Sequence, residues 1–504
     1  MNESKTHRVV LRPTQVELRA ATGTPLRDLL FEQGVEFPCG GHGRCRGCRV
    51  RVLEGTAEVT REQQERLSAE ELTSGWRLAC QCAVQGDLVI ELRQWDAAIL
   101  VDDTPFAFQP RPGFGVAVDL GTTTLVAQLL DLNIGRVLAV RTALNAQARF
   151  GADVMSRVRF AVAEGGQRQL EELIRLQIGK LIDQLVLAAG VTSTEVRDVV
   201  LVGNTVMHHL FCGLDVEPLS HYPFESERMG LETFRSSELG WKLDADPAVR
   251  FLPCLGGFVG SDVLAGVLAT KLGESENLVG LIDLGTNGEI VVGNREKLLC
   301  ASTAAGPAFE GARISMGMRA STGAVSEVTV EDGGLKCHVL GNVAPCGLCG
   351  SGLVDAVAAG LELGVIQPSG RLSTGNGQWN LCPPVVLTQS DIRELQLAKA
   401  AIAAGIRILL ERRGASGVSR LYLAGAFGNY IKCASAQRIG LIDFPPDQVQ
   451  AAGNTALLGA KLALFSLDGE DGSYAQIRSR IGHVPLNADP HFQDVFVEEM
   501  SFPE

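Results

Sequence analysis

The sequence has 504 residues, 46% of them hydrophobic, and its 45 Lys and Arg against 58 Asp and Glu give a net charge of −13. Hydrophobic cores stop growing at about 250 to 300 residues, so this length predicts a multidomain protein. The acidic balance argues against a nucleic-acid partner. No run reaches the ~18 apolar residues of a membrane span, and the N-terminus lacks the apolar core of a signal peptide. We therefore expect a cytoplasmic protein with no membrane partner.

Three cysteines lie close together near the N-terminus and a fourth follows after a gap. Cys39, Cys45 and Cys48 form a C-x5-C-x2-C run, and Cys80 comes later, in Arg-Leu-Ala-Cys-Gln. Four thiolates are what an iron–sulfur cluster requires, and three in one loop can wrap it while a distant fourth ties the loop to the domain. A zinc site usually needs two C-x2-4-C pairs, and only Cys45 and Cys48 have that spacing. The pattern predicts a cluster.

The surrounding residues predict a small domain rich in strands. Apolar patterning predicts strands at 9–11, 16–19, 49–53 and 88–92 and a helix at 26–33. This arrangement resembles the β-grasp 2Fe-2S ferredoxins over about 95 residues. Cys80 and Cys82 would share one face of a strand, and only one of them is needed. The resemblance favours Cys80 as the ligand and leaves Cys82 as a small buried hydrophobic residue.

A strand–turn–strand pattern occurs twice after a segment with the composition of a linker. Residues 116–130 read as a strand, a Gly-Thr turn and a strand, and residues 281–293 repeat hydrophobic, Asp, Leu, Gly, Thr in the same order. The repetition suggests two related halves facing one ligand. We predict a ferredoxin domain at 1–97, a linker at 98–113 and two lobes at 114–275 and 276–504.

Each repeated turn combines groups that suit a nucleotide triphosphate. Asp119 and Asp283 offer carboxylates to the water ligands of Mg²⁺, and the turns that follow offer hydroxyl and N–H donors to phosphate oxygens. The predicted donors are Gly121, Thr122 and Thr123 in the first turn and Gly285, Thr286 and Asn287 in the second. Together they predict a clamp for the phosphates of ATP.

A third glycine turn completes the pattern. An apolar strand at 420–424 runs into Gly425 and Gly428, where an adenine ring could lie against bare backbone. The three elements, in this order, resemble the phosphate and adenosine motifs of the sugar kinase, heat-shock chaperone and actin (ASKHA) superfamily over about residues 114 to 465. The resemblance implies an α/β multidomain protein with two ribonuclease-H-like lobes hinged over ATP, and it places Asp119 and Asp283 near Mg²⁺.

Two further carboxylates are candidates for the chemistry of ATP hydrolysis. Asp262 resembles the carboxylate that sugar kinases use as a base, and here it would orient water toward the γ-phosphate. An ordinary helix N-cap is an equally good interpretation of Asp262. Glu289 follows Asp283 by six residues on the next strand and would bind a water of Mg²⁺ or the nucleophile.

Phrases along most of the chain resemble the reductive activators of corrinoid-dependent enzymes. They lie at 145–157, 202–210, 256–262, 304–312, 349–355 and 423–430. The resemblance implies transfer of one electron from the 2Fe-2S cluster to inactive Co(II), which restores Co(I) in a corrinoid protein or a corrinoid-dependent methyltransferase. It also implies a low-potential electron donor, and homodimers occur among such proteins. Some relatives carry a further domain between ferredoxin and ATPase, for which the interval from Cys80 to Asp119 leaves no room.

Other functions and sites are compatible with the residues. A redox-regulated small-molecule kinase and a nucleotide-controlled scaffold are the competing functions. Cys346 and Cys349 form a C-x2-C pair that could bridge two subunits, although a glycine-rich turn needs small residues there in any case. His208 and His209 are adjacent on a predicted helix and would point about 100° apart, so packing or surface placement explains them better than a metal site.

Overall fold

The computed structural model describes residues 5–12, 16–31, 33, 35, 43, 48–92, 108–151, 153–285, 287–306, 308–311, 313–375, 377–428, 430–466 and 473–504. Cys39, Cys45 and Thr286 lie outside the described residues. Among the described residues, no helix combines the length and the apolar character needed to cross a membrane.

The N-terminal unit is a mixed five-stranded sheet in the order β2-β1-β5-β3-β4, with β1 parallel to β5. Its elements are β1 (Thr6–Arg12), β2 (Glu17–Ala21), α1 (Leu26–Phe31), β3 (Arg49–Glu54), α2 (Arg61–Arg66), α3 (Ala69–Thr73), β4 (Trp76–Leu78) and β5 (Leu88–Leu92). The predicted β-grasp arrangement is confirmed. Helix α1 ends two residues earlier than the predicted 26–33, at Phe31.

The segment that carries Cys80 differs from the prediction. Residues Ala79–Gln81 form a turn of 3₁₀-helix, so Cys80 and Cys82 do not follow each other along one strand face. The expectation of a shared face was therefore wrong. A tight helical turn rotates successive side chains by about 120°, which separates the two thiols.

The first lobe is built on a six-stranded sheet in the order β10-β11-β9-β6-β7-β8. Its elements are β6 (Phe114–Leu120), β7 (Thr124–Asp131), β8 (Arg136–Leu144), α4 (Val154–Ala163), α5 (Gln167–Ala189), β9 (Val196–Gly203), α6 (Thr205–Cys212), β10 (Glu232–Arg235), β11 (Ala248–Phe251) and α7 (Ser261–Thr270). Strand β6 is central and almost wholly buried, which explains its continuous apolar run.

The second lobe has a six-stranded sheet in the order β21-β20-β12-β13-β14-β22, with two small sheets inserted. Its strands are β12 (Val279–Leu284), β13 (Gly288–Gly293), β14 (Leu298–Thr303), β15 (Ala324–Glu331), β16 (Gly334–Val339), β17 (Gly347–Leu348), β18 (Gln378–Cys382), β19 (Val385–Thr388), β20 (Arg420–Ala424), β21 (Val449–Gly453) and β22 (Ile481–His483). Its helices are α8 (Gly350–Glu362), α9 (Gln389–Arg412), α10 (Gly425–Gly428), α11 (Cys433–Arg438), α12 (Thr455–Phe465), α13 (Ser473–Arg480) and α14 (Phe492–Glu498).

The two large sheets share one internal topology. In the first lobe β6, β7 and β8 form an antiparallel meander, and β9 returns parallel to β6. In the second lobe β12, β13 and β14 do the same, and β20 returns parallel to β12. Strands β11 and β21 then add parallel to β9 and β20. The duplication predicted from the repeated Asp-Leu-Gly-Thr turns is thus present in the strand order.

Helices α7 and α12 pack together between the two large sheets. Helix α12 follows strand β21 of the second sheet but lies against β6 and β9 of the first. A side chain at Gly459 would come within 2.1 Å of the carbonyl oxygen of Ala265, so the helices approach backbone to backbone. A side chain at Gly266 would instead lie 2.9 Å from the Leu281 side chain and 3.1 Å from the Thr455 hydroxyl of the second lobe. The two glycines therefore allow α7 to pack closely against the second lobe.

Candidate functional site

The first repeated turn follows directly from the central strand β6. Asp119 pairs with Val126 on β7 and with Val202 on β9, which places its side chain at the end of the sheet. A side chain at Gly121 would lie 2.5 Å from the carbonyl oxygen of Thr124, so this tight turn leaves no room for a Cβ. The predicted phosphate donors are thereby held close to the Asp119 carboxylate.

Three asparagines hold the first turn in place. Each begins a helical segment, and its side-chain oxygen accepts a hydrogen bond from a backbone N–H of that segment. The side-chain amide of each then donates toward the turn: Asn145 to the carbonyl of Gly121 at 3.0 Å, Asn204 to the hydroxyl of Thr122 at 2.8 Å, and Asn454 to Asp119 at 2.8 Å. Each asparagine therefore ties a helix start to one group of the turn.

A buried arginine supports the same turn from behind. The Arg157 guanidinium donates to the carbonyls of Thr122 and Gly151 and to the side chain of Gln147. Its side chain has no exposed surface, and burial lowers the pKa of Arg157 to about 10. These oxygen atoms accept the hydrogen bonds that water would accept from an exposed guanidinium. Replacing Arg157 would therefore leave several buried acceptors without a donor.

Substitutions of Asn454 can separate its role as the N-cap of α12 from its role in positioning the Asp119 carboxylate. The Asn454→Ala variant is expected to lose about 1 kcal/mol of stability as the cap of α12 disappears, and also to bind Mg·ATP more weakly because Asp119 loses its donor. The Asn454→Ser variant should retain the cap, and with it the thermal midpoint, but should still bind Mg·ATP weakly. Thermal unfolding and calorimetric titration measure the two effects. Wild-type affinity in Asn454→Ser would contradict the positioning role.

The second repeated turn brings Asp283 and Glu289 together. They are cross-strand partners in the antiparallel pair β12–β13, so both carboxylates project from the same face at neighbouring positions. Asp283 also pairs with Ala424 on β20. Gly425 follows with φ of 84°, and a side chain there would lie 2.5 Å from an Asp283 oxygen. The glycine turn predicted for adenosine thus borders the second phosphate turn directly.

Asp262 lies in the first turn of α7, at the junction of the lobes. The N-cap of this helix is Gly260, and Asp262 instead accepts a hydrogen bond from the N–H of Val263 at 2.8 Å. The helix start is anchored by Ser261, whose hydroxyl bonds the backbone of Gly203 at the end of β9. The N-cap interpretation of Asp262 was wrong, and its carboxylate is left to face the cleft.

The four carboxylates form one electrostatic group. Burial raises the pKa of Asp119 to about 6, opposed by the hydrogen bond from Asn454. Burial and then repulsion by neighbouring carboxylates raise the pKa of Asp262 and Asp283 to about 7, and that of Glu289 well above its usual range. Asp262 is within electrostatic reach of the other three. Each side chain retains some exposed surface, so the group lines an accessible cleft.

This carboxylate group suits a cation that keeps its water. Among the described residues, no three acidic, histidine or cysteine side chains converge closely enough to hold a metal ion by themselves. Mg²⁺ commonly retains several waters and is bound through one or two carboxylates together with substrate phosphates. The four carboxylates therefore do not form a closed metal site by themselves among the described residues.

Two of the four predicted cluster ligands lie among the described residues, and their sulfur atoms are close together in the N-terminal domain. The sulfur atoms of Cys48, before β3, and Cys80, in the 3₁₀ turn, are 3.4 Å apart. Cys82 is instead buried, with its thiol directed to the carbonyl of Leu78. The closeness of Cys48 and Cys80 fits thiolates sharing one cluster, and the ligand role of all four cysteines stays a prediction.

Three of the other residues considered from the sequence, His208, His209 and Cys349, are buried packing residues. His208 and His209 are fully buried, and their ring nitrogens lie 3.1 and 2.8 Å from backbone carbonyls. Burial lowers the pKa of His208 to about 3, which keeps that ring neutral. Cys349 is buried with its thiol toward Val325, whereas Cys346 is exposed. These two cysteines therefore do not present a pair of thiols to a subunit surface.

Three family models match successive parts of the chain. Residues 9–85 match the 2Fe-2S iron-sulfur cluster binding domain, residues 114–275 the RACo middle region, and residues 277–504 the C-terminal domain of RACo, the ASKHA domain. A ferredoxin-type domain joined to an ASKHA ATPase-type domain is thus the class of protein that the fold and the cleft define.

Relatives over most of the chain identify the family. The chain is 35% identical to the "Corrinoid activation enzyme RamQ" of Eubacterium limosum over 80% of its length and 72% of that protein. It is 26% identical to the "[Co(II) methylated amine-specific corrinoid protein] reductase" of Methanosarcina barkeri, covering 77% of each. The solved "Reductive activator for corrinoid,iron-sulfur protein" superposes with a TM-score of 0.71 at 28% identity, over 99% of this chain and 98% of that one. The chain belongs to the reductive activators of corrinoid proteins.

Sequence reasoning had not selected Asn454 or Arg157 as functional residues. A signal for two of the three asparagines is nevertheless visible. Gly-Asn-Thr occurs at 203–205 and again at 453–455, each time where a strand gives way to a helix. Asparagine at a strand–helix junction predicts an N-cap. The Gly-Asn-Thr pattern does not reveal which group accepts a hydrogen bond from the side-chain amide nitrogen of each asparagine.

Proposed function

We propose that this protein is an ATP-dependent reductive activator that returns the Co(II) form of a partner's corrinoid to Co(I). The observation that carries the proposal is the presence, in one chain, of converging cluster cysteines and a cleft of coupled carboxylates between two duplicated lobes. An electron carrier and a phosphate-binding cleft are both required for nucleotide-dependent electron transfer. Relatives that act on corrinoid proteins support the assignment of the partner.

The four cysteines 39, 45, 48 and 80 would hold the cluster. When bound, a 2Fe-2S cluster supplies one-electron chemistry to the cobalt of the partner. The protein contributes the thiolates and a polar environment at the cluster: the amide of Gln81 lies 3.7 Å from the sulfur of Cys80. Hydrogen bonds to ligand sulfurs tune the potential of such a site. A low-potential donor must reload the cluster after each electron.

ATP would occupy the cleft with Mg²⁺. Asp119 and Asp283, one from each lobe, would hold waters of the cation, and the paired turns would bind phosphate oxygens. Asp262 interacts electrostatically with both of these carboxylates and would orient the attacking water. Glu289, on β13, would assist it. Because these groups belong to both lobes, nucleotide would bind most tightly when the lobes close.

The energetic reason for ATP is the low potential that Co(I) requires. Plant-type ferredoxin clusters have potentials near ~−400 mV. For one electron, every ~59 mV of shortfall shifts the equilibrium tenfold toward oxidised cobalt. Moving a two-state equilibrium from 1:99 to 99:1 requires about 5.5 kcal/mol of differential affinity, a magnitude that nucleotide binding and hydrolysis can supply. Closure of the lobes would favour a complex in which the electron stays on cobalt.

The direct test is the absorption change from Co(II) to Co(I). We expect it when the protein is mixed with a methylated-amine type corrinoid protein, a low-potential chemical reductant and Mg·ATP, with ATP hydrolysed and no phosphorylated metabolite formed. Equal Co(I) formation without nucleotide would contradict the proposal. Transfer of phosphate to a small molecule would instead favour the kinase alternative.

The raised pKa values predict the pH dependence of nucleotide binding. Between pH 6 and pH 8 the carboxylates of Asp119, Asp262 and Asp283 lose their protons, and Mg²⁺ requires the ionised forms. Affinity for Mg·ATP is therefore expected to rise about tenfold over this range. The Asp262→Asn variant should show a shallower rise in calorimetric titrations, because one titrating group is removed. A rise as steep as that of the wild type in this variant would count against the role of Asp262.

The metal-free protein should show the opposite trend. A carboxyl whose pKa is higher in the folded state than in the unfolded state costs stability as pH rises from the unfolded value, near 4, through the folded value, near 7. The thermal midpoint without Mg²⁺ is thus expected to fall from pH 5 to pH 8. Added Mg·ATP should oppose that fall, since it binds the folded, ionised cleft.

A further inference from the structure

The ferredoxin domain contacts the second lobe through helix α1. The carboxylate of Asp28 is buried and accepts a hydrogen bond from the N–H of Gly341 at 3.2 Å, with Nε2 of His338 also at 3.2 Å. The neighbouring Arg27 forms an ion pair with Glu327 at 2.8 Å. Gly341 has φ of 78°. We call these contacts of Arg27 and Asp28 with Glu327, His338 and Gly341 the α1 clasp.

The α1 clasp continues into the segment that follows the glycine turn predicted for adenosine. Lys432 lies 3.5 Å from Glu327 and 2.8 Å from Asp355, a carboxylate that is 2% exposed. The hydroxyl of Tyr430 donates to the carbonyl of Val35 at 3.1 Å. Residues 430–432 therefore contact both the clasp and the ferredoxin domain within a few residues of Gly425 and Gly428.

The same helix contacts the segment that carries a cluster cysteine. Helix α1 packs on the Ala79–Gln81 turn, which includes Cys80. Close-packed elements are hardly compressible and transmit strain to their neighbours. A displacement of the α1 clasp would therefore be transmitted to the turn that carries Cys80, a predicted cluster ligand.

One of the described ion pairs joins the ferredoxin domain to the first lobe, and it is more exposed than the contacts of the α1 clasp. Glu91 of β5 lies 2.9 Å from Arg136 of β8, whose side chain is 40% exposed. Solvent-exposed ion pairs contribute little and exchange readily with water, whereas a buried carboxylate deprived of its donors is costly. If the lobes move relative to each other, the ion pair of Glu91 with Arg136 is expected to break more readily than the α1 clasp.

We propose that the ferredoxin domain and the second lobe form one rigid unit joined by the α1 clasp, so that closure of the lobes on nucleotide carries the cluster relative to the first lobe. The clasp itself follows from contacts within the chain. Its coupling to nucleotide rests on the proposed function, since it needs ATP to bind in the cleft.

Charge reversal tests the clasp in the complete protein with its cluster and without nucleotide. Arg27→Glu and Glu327→Arg are each expected to speed amide hydrogen exchange in residues 338–343 by about tenfold, because the N–H of Gly341 loses its buried acceptor when the domains separate. The double exchange Arg27→Glu with Glu327→Arg should restore part of the protection, because it re-forms the pair between positions 27 and 327 but not the contact of Glu327 with Lys432. The control is Arg61→Glu, since Arg61 is 87% exposed and pairs only locally with Glu65 among its described contacts. Unchanged exchange in both single variants would overturn the clasp.

Pulsed electron paramagnetic resonance tests the motion. A nitroxide on Cys346, the exposed cysteine among those described, reports the distance from the reduced cluster to the second lobe. A nitroxide at position 187, introduced as Leu187→Cys in a Cys346→Ser background, reports the first lobe, where Leu187 is 82% exposed. With Mg²⁺ and a non-hydrolysable ATP analogue, we expect the distance to position 187 to change by about 2 Å or more while that to position 346 stays constant.

The outcomes separate the two proposals. A change in the distance to position 346, or constant distances despite calorimetric binding of the analogue, would overturn the rigid unit. Failure of the analogue to bind would instead refute the proposed nucleotide site, and the charge-reversal result would still decide whether the clasp exists.

Discussion

Replacing Asp283 with asparagine is expected to lower ATP hydrolysis about a hundredfold or more while leaving the protein folded. The amide preserves the size of the side chain beside Gly425 but removes the negative charge that would hold the waters of Mg²⁺. Losing one preorganised electrostatic group at a reaction centre typically costs about 10² to 10³ in rate. Steady-state phosphate release, in the presence of the partner protein, measures the effect.

Stability distinguishes this effect from misfolding. Burial and the carboxylates of Asp262 and Asp119 raise the pKa of Asp283 to about 7, so its charge is unfavourable in the metal-free cleft. The Asp283→Asn variant is therefore expected to unfold at the same temperature as the wild type or higher at pH 8. Asp447→Asn, at an exposed position, is the matched control and should change neither property. Hydrolysis near the wild-type rate in Asp283→Asn would remove this residue from the site.

Replacing Cys80 with alanine is expected to abolish the cluster and, with it, all reduction of Co(II). The sulfur of Cys80 lies 3.4 Å from that of Cys48, and a 2Fe-2S cluster held by four thiolates cannot lose one of them to a methyl group. The visible absorption and iron content of the purified protein report the cluster directly. ATP hydrolysis without the partner should persist, because the carboxylate cleft belongs to other domains.

The neighbouring thiol provides the control. Cys82→Ala should retain the cluster and the reduction of cobalt, at a cost of about 1 kcal/mol for a small buried side chain. Cys82 is 6% exposed and hydrogen-bonded to the carbonyl of Leu78, and burial raises the pKa of its thiol to about 12. Loss of the cluster in Cys82→Ala with retention in Cys80→Ala would reverse the assignment of the fourth ligand.

Much of the architecture could be predicted because it depends on local patterns. The repeated order of hydrophobic residues, Asp, Leu, Gly and Thr predicted two related halves, and five strands of each large sheet have the same order. Strand 88–92 was predicted with the observed bounds, since alternation of buried and exposed residues marks a strand wherever it occurs. The helix predicted at 26–33 was too long, because the ends of helices fray and are weakly marked in the sequence.

The candidate site was only partly predictable. Asp119 and Asp283 were found because the strand and turn around each form a recognisable local pattern. Asn454 and Arg157 were not, because their importance arises from partners 335 and 35 positions away along the chain. The choice between the two interpretations of Asp262 likewise needed the structure, which places the N-cap at Gly260.

By itself the sequence determined the types of domain, the duplicated turns and the candidate ligands, because periodicity, glycine placement and cysteine spacing act within a few residues of each other. Only the tertiary structure decided that three asparagines from separate helices meet at one turn, that α12 crosses to the first sheet, and that helix α1 joins the ferredoxin domain to the second lobe. Contacts of this kind depend on how distant elements pack, and no pattern within one segment encodes which buried polar group will satisfy another.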